Sequence, residues 1–511
     1  MTAKLIGAFL SGLCFVFGFA PFHFPGLSIL SLAIFAQLLQ SGSLKSACLT
    51  GFVYGIGFFG LGVSWIFVSI HAYAHLNLFF STLITLLFIT YLSSFTSLVA
   101  LSYRFLLPRT PSLYSGLLFS ALWCSGEYCR AHVFGGFPWL MLGFGQIDSP
   151  LGQLLPSIGV LGVSAVTCFI SYMLLLAFHA TQIKRMILLV FFALLMISPL
   201  FLAPPSPQLP GENSLSVGVI QANLSMRDKW DETLFWQILE HYKQETEALL
   251  GKRQIIVMPE SAIPLPSQYV SDYLERLDAK AKKTHTAVIL GIPDMNNADD
   301  ALLFNALLGL GSASGIYYKQ HLVAFGEFIP TFLVRLSQWL ELPLPNMTKG
   351  QSRQALLRVF DHPVATLICY ELAFPELLRQ QLPLAEWIIS ISDDGWFGHS
   401  FAVYQHLQMA QVLSKETHRF QIISNNDGLS SVINASGEII DSLPAFTTGV
   451  LNSAVIPNTE QTPWVNFGDT PVHVFLILML LYSFIHALLS KKLLPAMRED
   501  GILINPVEFQ K

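Results

Sequence analysis

Charge is nearly missing from the first 203 residues of this 511-residue chain, where only Lys4, Lys45, Arg104, Arg109, Glu127, Arg130, Asp148, Lys184 and Arg185 interrupt apolar sequence. So little charge excludes a soluble surface for that part. With 53% apolar residues and a mean hydropathy of +0.54, it points to a membrane protein. Cysteine is scarce in the more polar remainder. Cys14, Cys48, Cys124, Cys129 and Cys168 all lie in the first 180 residues, which leaves Cys369 alone in the polar half. A thiol with no neighbour in the polar part of the chain is buried packing, an intermolecular bridge or a reactive group. Basic clusters are absent, which argues against a nucleic-acid partner. His71 and His75 in SIHAYAHLN have no third ligand in view, so they read as an interfacial loop rather than a metal site, and no cofactor is expected.

Apolar runs long enough to cross a bilayer core of about 30 Å lie near 5–22, 26–41, 50–70, 77–106, 112–130, 153–180, 184–203 and 471–489. The first has no small-residue cleavage site followed by polar sequence, so it is read as a retained helix. Lys4, Lys45, Arg104, Arg109, Lys184, Arg185, Lys491, Lys492 and Arg498 fall on alternate turns, with Arg130 the exception. Basic loops stay in the cytoplasm, so the pattern predicts eight spans with both termini cytoplasmic. Glu127, Arg130 and Asp148 then sit at the outer membrane edge, where pairing or headgroup contact competes with anchoring.

The expected organisation is a transmembrane domain over 1–203, a Pro-rich linker over 204–213 and an extracytoplasmic domain over 214–465. A last transmembrane helix over 471–489 and a tail over 490–511 follow. Within 214–465, β-rich runs (LSVGVIQANL, QIIVMPES, TAVILGIP, YYK, ATLICYE, EWIISISDD, FQIISNND, SVINASGEII) alternate with amphipathic stretches near 230–250, 268–283 and 402–417. The early order βαβαβ predicts a layered α/β domain.

Strand ends in such domains gather reactive side chains. Glu260 ends IIVMPES, Cys369 ends ATLIC, and Lys319 follows the run SGIYY. A buried carboxylate can take the proton of a thiol, and an ammonium can stabilise the oxyanion formed by thiolate attack. The competing reading is a structural Glu–Lys pair or solvated charges.

MPESAIP, YYKQHLVAFGEFIP and LICYE, in that order, resemble the Glu, Lys and Cys motifs of the nitrilase superfamily. The helices on either side, and GFPWLMLGFGQIDSPLGQL between the fifth and sixth runs, resemble the apolipoprotein N-acyltransferase family. The resemblance implies an αββα sandwich joined to a polytopic helical membrane domain. It also implies Glu260 as general base, Lys319 as the cation that stabilises the intermediate, and Cys369 as the acyl-carrying nucleophile. Trp230, Glu327, Tyr370, Glu371 and Trp396 fall on substrate-binding or supporting positions, and His321 supports the Lys319 loop. The implied setting is the inner membrane of a bacterium, with the catalytic domain in the periplasm and the chain a monomer. The implied partners are a phospholipid acyl donor, phosphatidylethanolamine foremost, and a diacylglyceryl-apolipoprotein acceptor. A membrane-anchored amidase is the nearest rival, and a transporter or scaffold with a degenerate enzyme domain the next. The chain departs from the family pattern at Ala324, usually Pro, and at Asp393, usually Asn, which adds a carboxylate that would alter the charge of any pocket it lines. The apolar segment 339–347 is expected to form an arm that dips toward the bilayer.

Overall fold

The computed structural model describes residues 1–73, 76–107, 111–202, 213–295, 302–324, 326–329, 334 and 347–499. His75, Arg109, nearly all of the expected linker, residues 339–346 of the expected arm and the last part of the tail lie outside them.

Helices form at each of the apolar runs: α1 (Thr2–Val16), α2 (Pro25–Leu39), α3 (Leu44–Gly62), α4 (Leu78–Leu106), α5 (Leu113–His132), α6 (Leu155–His179) and α7 (Gln182–Ile197). Local chemistry sets their starts. Pro25 opens α2 with its φ already helical, the Ser43 hydroxyl accepts from Ser46 N ahead of α3, and Asn77 accepts from Phe80 N ahead of α4. Among the described residues, five stretches are long and apolar enough to cross a bilayer: Leu44–Gly62, Leu78–Leu106, Pro150–His179, Gln182–Leu202 and Thr470–Leu489. Thr2–Val16 and Pro25–Leu39 are apolar but shorter, and α5 is made more polar by Glu127 and Arg130. Aromatic side chains fill the bundle, with Phe35 stacked on Tyr54 at 4.1 Å and Phe15 edge-on to Phe58 at 4.4 Å. Lys4 and Arg104 meet at one end, where both donate to carbonyls of the 41–42 turn.

The second domain is built on two sheets. The first holds β1 (Leu215–Gln221), β2 (Ile255–Val257), β3 (Ala287–Met295), β4 (Leu303–Gly311), β6 (Ile316–Tyr318) and β13 (Gly449–Val455) in the order β13-β1-β2-β3-β4-β6. The second holds β5 (Ala313–Ser314), β7 (Leu357–Val359), β8 (His362–Ile368), β9 (Trp387–Ser392), β10 (Gln421–Asn425), β11 (Ser431–Ile433) and β12 (Ile439–Ser442) in the order β12-β11-β10-β9-β8-β7-β5. In each, three parallel strands sit at the centre, β1-β2-β3 in one and β8-β9-β10 in the other, with antiparallel strands outside them. Alternating side chains divide each sheet between two cores. Val217, Val219, Ile255 and Ile289 meet Val364, Ile368, Ile389 and Ile422 between the sheets. On the outer faces, helices α8 (Phe235–Leu249) and α9 (Ser271–Lys283) cover the first sheet and α10 (Ala402–Thr417) the second, which completes the αββα layering. The chain closes with α11 (Thr470–Glu499).

Helix α10 also joins the two domains. Trp139 Nε1 donates to Gln405 Oε1 at 2.7 Å, Ala20 N to Gln408 Oε1 at 3.1 Å, and Val160 N to Glu416 Oε1 at 2.9 Å. The last bond needs a break in α6 at Gly159, whose φ of +66° and crowding against Trp464, 2.3 Å from where a Cβ would lie, admit only glycine.

Candidate active site

The carboxyl ends of the parallel strands open on the same side, as expected of a crevice at the edge of an α/β sheet. Glu260 follows β2, Cys369 follows β8, Asp393 and Asp394 follow β9, and Lys319 follows the antiparallel β6. Gly291 on β3 lets the Glu260 backbone come close, because a Cβ there would lie 2.7 Å from Glu260 Cα.

Glu260, Lys319, Glu327 and Cys369 form one buried group. Lys319 is 1% exposed and donates to Glu327 Oε1 at 2.9 Å and Glu260 Oε1 at 3.4 Å. Asn305 Nδ2 bridges the same two oxygens at 2.7 and 2.9 Å. The second oxygen of Glu260 accepts from Asp393 N at 3.1 Å, and that of Glu327 from Val323 N at 2.7 Å. Burial raises the Glu260 pKa above the usual carboxylate value; the Lys319 ammonium opposes the rise and Glu327 adds to it. Burial alone would lower the Lys319 pKa, but Glu327, Glu260 and Cys369 outweigh it and hold the ammonium charged.

Cys369 is 6% exposed and sits in the left-handed region at φ +52°, at the turn from β8 into a short 3-10 helix, Cys369–Ala373. A non-glycine residue held there stores strain of order 1–3 kcal/mol. Burial, with Glu260 adding and Lys319 opposing, pushes the thiol pKa well up, so its attack on a carbonyl needs a neighbouring base.

Glu371 ties two loops together. Its carboxylate accepts from Ile368 N at 2.8 Å, Gln320 N at 2.6 Å, His321 N at 3.0 Å and the Tyr317 hydroxyl at 3.1 Å, which fastens the Cys369 turn to the Lys319 loop. Burial raises its pKa to about 7 against the pull of those donors. Tyr370 and His321 reach the membrane domain instead: the Tyr370 hydroxyl donates to Gly136 O at 3.0 Å and His321 Nε2 to Gly135 O at 2.9 Å. Burial lowers the His321 pKa to about 4, so the ring is neutral. Trp396 offers its carbonyl to Ser69 Oγ at 2.6 Å, and Trp230 stands 47% exposed beside the buried Lys229.

Lys229, Asn305 and His406 were not singled out from sequence. Lys229 forms a buried ion pair with Asp393 and donates to Glu260 O at 2.6 Å. The carboxylate at 393, expected to change the charge of the pocket, is thus met by an internal cation. The only signal for Lys229 is its place next to Trp230 in MRDKWDE. Ala324 makes a bridge to Phe328 beside the Lys319 loop. Glu127 and Arg130 turn inward, away from headgroups. Arg130 donates to Phe137 O and Trp139 O, and Glu127 accepts from Trp123 Nε1 and Leu142 N. Asp148 accepts from His23, and His71 Nδ1 lies 2.9 Å from Leu76 O.

The family described as "Apolipoprotein N-acyltransferase N-terminal domain" matches residues 11–173, and "Carbon-nitrogen hydrolase" matches 216–462. An apolipoprotein N-acyltransferase of Coxiella burnetii is 34% identical over 94% of this chain and 99% of its own length, and one of Methylococcus capsulatus is 33% identical over 92% and 94%. A solved amidase structure from Nesterenkonia sp. is 15% identical with a TM-score of 0.38, over 52% of this chain and 98% of that one. Through the near full-length identity to these relatives, the chain belongs to the apolipoprotein N-acyltransferase family, a membrane-bound branch of the carbon-nitrogen hydrolases.

Proposed function

We propose that this protein transfers an acyl chain from a membrane phospholipid, phosphatidylethanolamine foremost, to the α-amino group of the diacylglyceryl-cysteine at a lipoprotein N-terminus. The observation that carries the reading is the buried Glu260–Lys319–Glu327 group around a strained cysteine, in a family whose relatives are named for this transfer rather than for amide hydrolysis.

In the first half-reaction Glu260 accepts the Cys369 thiol proton and the thiolate attacks the ester carbonyl carbon. Lys319 stabilises the resulting oxyanion, with Glu327 fixing its ammonium and Asn305 holding the two carboxylates together. Collapse breaks the ester bond, the departing lysophospholipid alkoxide takes the proton from Glu260, and a thioester remains on Cys369. In the second, the lipoprotein amine attacks the thioester carbon, gives a proton to Glu260 and displaces the thiolate, which is reprotonated. A carboxylate whose pKa burial has raised is better suited to accepting and returning that proton than an ordinary one. Trp230 and Trp396 are assigned to the wall of the lipid pocket, while Tyr370 and Glu371 hold the nucleophile turn against the membrane domain and the Lys319 loop.

The setting that fits is the bacterial inner membrane, with eight spans, both termini cytoplasmic and the catalytic domain in the periplasm. The meeting of Lys4 and Arg104 at one end of the bundle supports that orientation. Both substrates then arrive by lateral diffusion within one leaflet, at a monomer. The test is a two-stage assay in detergent. Phospholipid alone is expected to release one equivalent of lysophospholipid per enzyme and then stop. Added diacylglyceryl lipopeptide is expected to restart release and to emerge N-acylated. Continuous release of free fatty acid without lipopeptide would contradict the reading in favour of hydrolysis.

A further inference from the structure

His406, on the first turns of α10, is buried behind the nucleophile, and the reading of its role rests on Cys369 being that nucleophile. Its Nε2 lies 3.1 Å from Cys369 O and its Nδ1 lies 3.0 Å from Asp394 Oδ1. A backbone carbonyl only accepts, and a carboxylate accepts, so both ring nitrogens must donate. A neutral imidazole has a single N–H, whereas the imidazolium has two. The ring is stacked on Trp139 at 5.7 Å with Phe397 edge-on at 6.1 Å.

We propose that His406 is a permanent imidazolium, held between Asp394 and the Cys369 carbonyl, that acts as a positioning residue: it fixes the left-handed turn of the nucleophile and supplies the second positive charge its thiolate requires.

The local charges call for such a cation. Glu260, Glu327 and Asp394 all act against a thiolate at Cys369, and Lys319 is the cation in the same field that favours it. Once Glu260 has taken the thiol proton, the carboxylates of Glu327 and Asp394 remain against Lys319, an excess of one negative charge. An imidazolium at His406 cancels it. The titratable groups facing the ring are Asp394 from the turn after β9, Cys369 from the turn after β8, and Glu260 from the end of β2. Burial alone would make the ring harder to protonate, and these acceptors reverse the shift so that its pKa lies above the ordinary histidine value. The positive φ of Cys369 puts its carbonyl where Nε2 can hold it, so one bond serves both geometry and charge.

The test follows Cys369 alkylation by iodoacetamide against pH in the full-length enzyme, read by peptide mass spectrometry. His406→Gln keeps an N–H donor toward Cys369 O but carries no charge. It is expected to move the alkylation midpoint up by about one pH unit, so that about tenfold less thiolate is available at a given pH. Asp394→Asn removes the counter-charge of the imidazolium together with a carboxylate that opposes the thiolate, so its midpoint is expected to stay closer to the parent than that of His406→Gln. A His406→Gln profile that superposes on the parent overturns the proposal, because a purely structural donor would be replaced by the amide. Labelling of the buried Cys124 and Cys168 would reveal a variant that has failed to fold. In that event, ¹⁵N-histidine NMR of the unsubstituted enzyme decides: two protonated ring nitrogens at neutral pH uphold the proposal, and a neutral tautomer overturns it. Alkylation needs no acyl donor, so a Cys369 that shows the shift yet never carries an acyl chain would sink the acyl-transfer reading and leave the role of His406 standing.

Discussion

Buried charge is held differently in the membrane bundle and in the cluster around Cys369. In the membrane domain the buried Arg130 donates to two backbone carbonyls and one oxygen of Glu127 accepts from a backbone amide and an indole, so the two residues hold the 137–142 segment in place. Around Cys369 buried charges meet one another, Lys319 with Glu260 and Glu327, Lys229 with Asp393, and His406 with Asp394, while Glu371 beside them is held by backbone amides. Hydrogen bonds to backbone fix a shape, whereas mutually paired titratable groups leave protons that can move. On the proposed function the difference separates a platform from a reaction centre, and α10 joins the two domains through Gln405, Gln408 and Glu416.

Breaking the reaction centre at its nucleophile should have the largest effect. Cys369→Ala is expected to lower acyl transfer by roughly 10⁴-fold or more while leaving the melting temperature nearly unchanged, checked by lipopeptide acylation alongside a thermal melt. Lys319→Ala should lose both activity and stability, since it leaves Glu260 and Glu327 buried without their cation. A loss of about 3–5 kcal/mol is expected in denaturant titration, and a stable Lys319→Ala protein would contradict the pairing. Glu260→Gln is expected to cost about 10²–10⁴-fold in rate. In the parent enzyme, activity should fall as pH drops through the raised Glu260 pKa, so the acid limb lies above the usual carboxylate range, and the remaining activity of Glu260→Gln should lack that limb.

Glu371 gives a stability effect with a defined sign. Its pKa is raised from 4.5 to about 7, so between those values the folded protein keeps a proton that the unfolded chain has released. Stability from this group is therefore greatest at the acid end of that window and declines as pH rises through about 7, by on the order of 3 kcal/mol in all. Melting temperatures of the parent and of Glu371→Gln across pH 5–8 should diverge in slope for this reason. The smallest effect belongs to the platform's link. Trp139→Phe removes the bond to Gln405 and should cost about 1 kcal/mol in stability, with catalysis nearly intact.

The elements most legible in the sequence are those with one strong local pattern. The helix expected near 402–417 forms over Ala402–Thr417, and ATLIC is a strand that ends at the cysteine because a continuous apolar run suits a strand buried on both faces. Strand β4 was not anticipated, since Asn305 and two glycines interrupt LFNALLGLG, yet this asparagine bridges Glu260 and Glu327. The expected span 50–70 forms over Leu44–Gly62: the Ser43 cap starts the helix early, and the chain then turns at 63–65. Glu260, Lys319 and Cys369 could be read because strand ends and motif order mark them. The Lys229–Asp393 pair joins residues 164 positions apart, and the His406 bonds depend on how α10 seats against the second sheet. Such pairings arise from tertiary proximity and leave no periodic trace in the sequence.

The central claim is that Cys369 carries the acyl chain between two lipids, and peptide mass spectrometry of the enzyme after incubation with phosphatidylethanolamine and no acceptor tests it most directly. The account predicts a mass increment of one acyl chain on the peptide bearing Cys369, sensitive to hydroxylamine and removed when a diacylglyceryl lipopeptide is added. An unmodified Cys369 in an enzyme that still acylates the lipopeptide would contradict it.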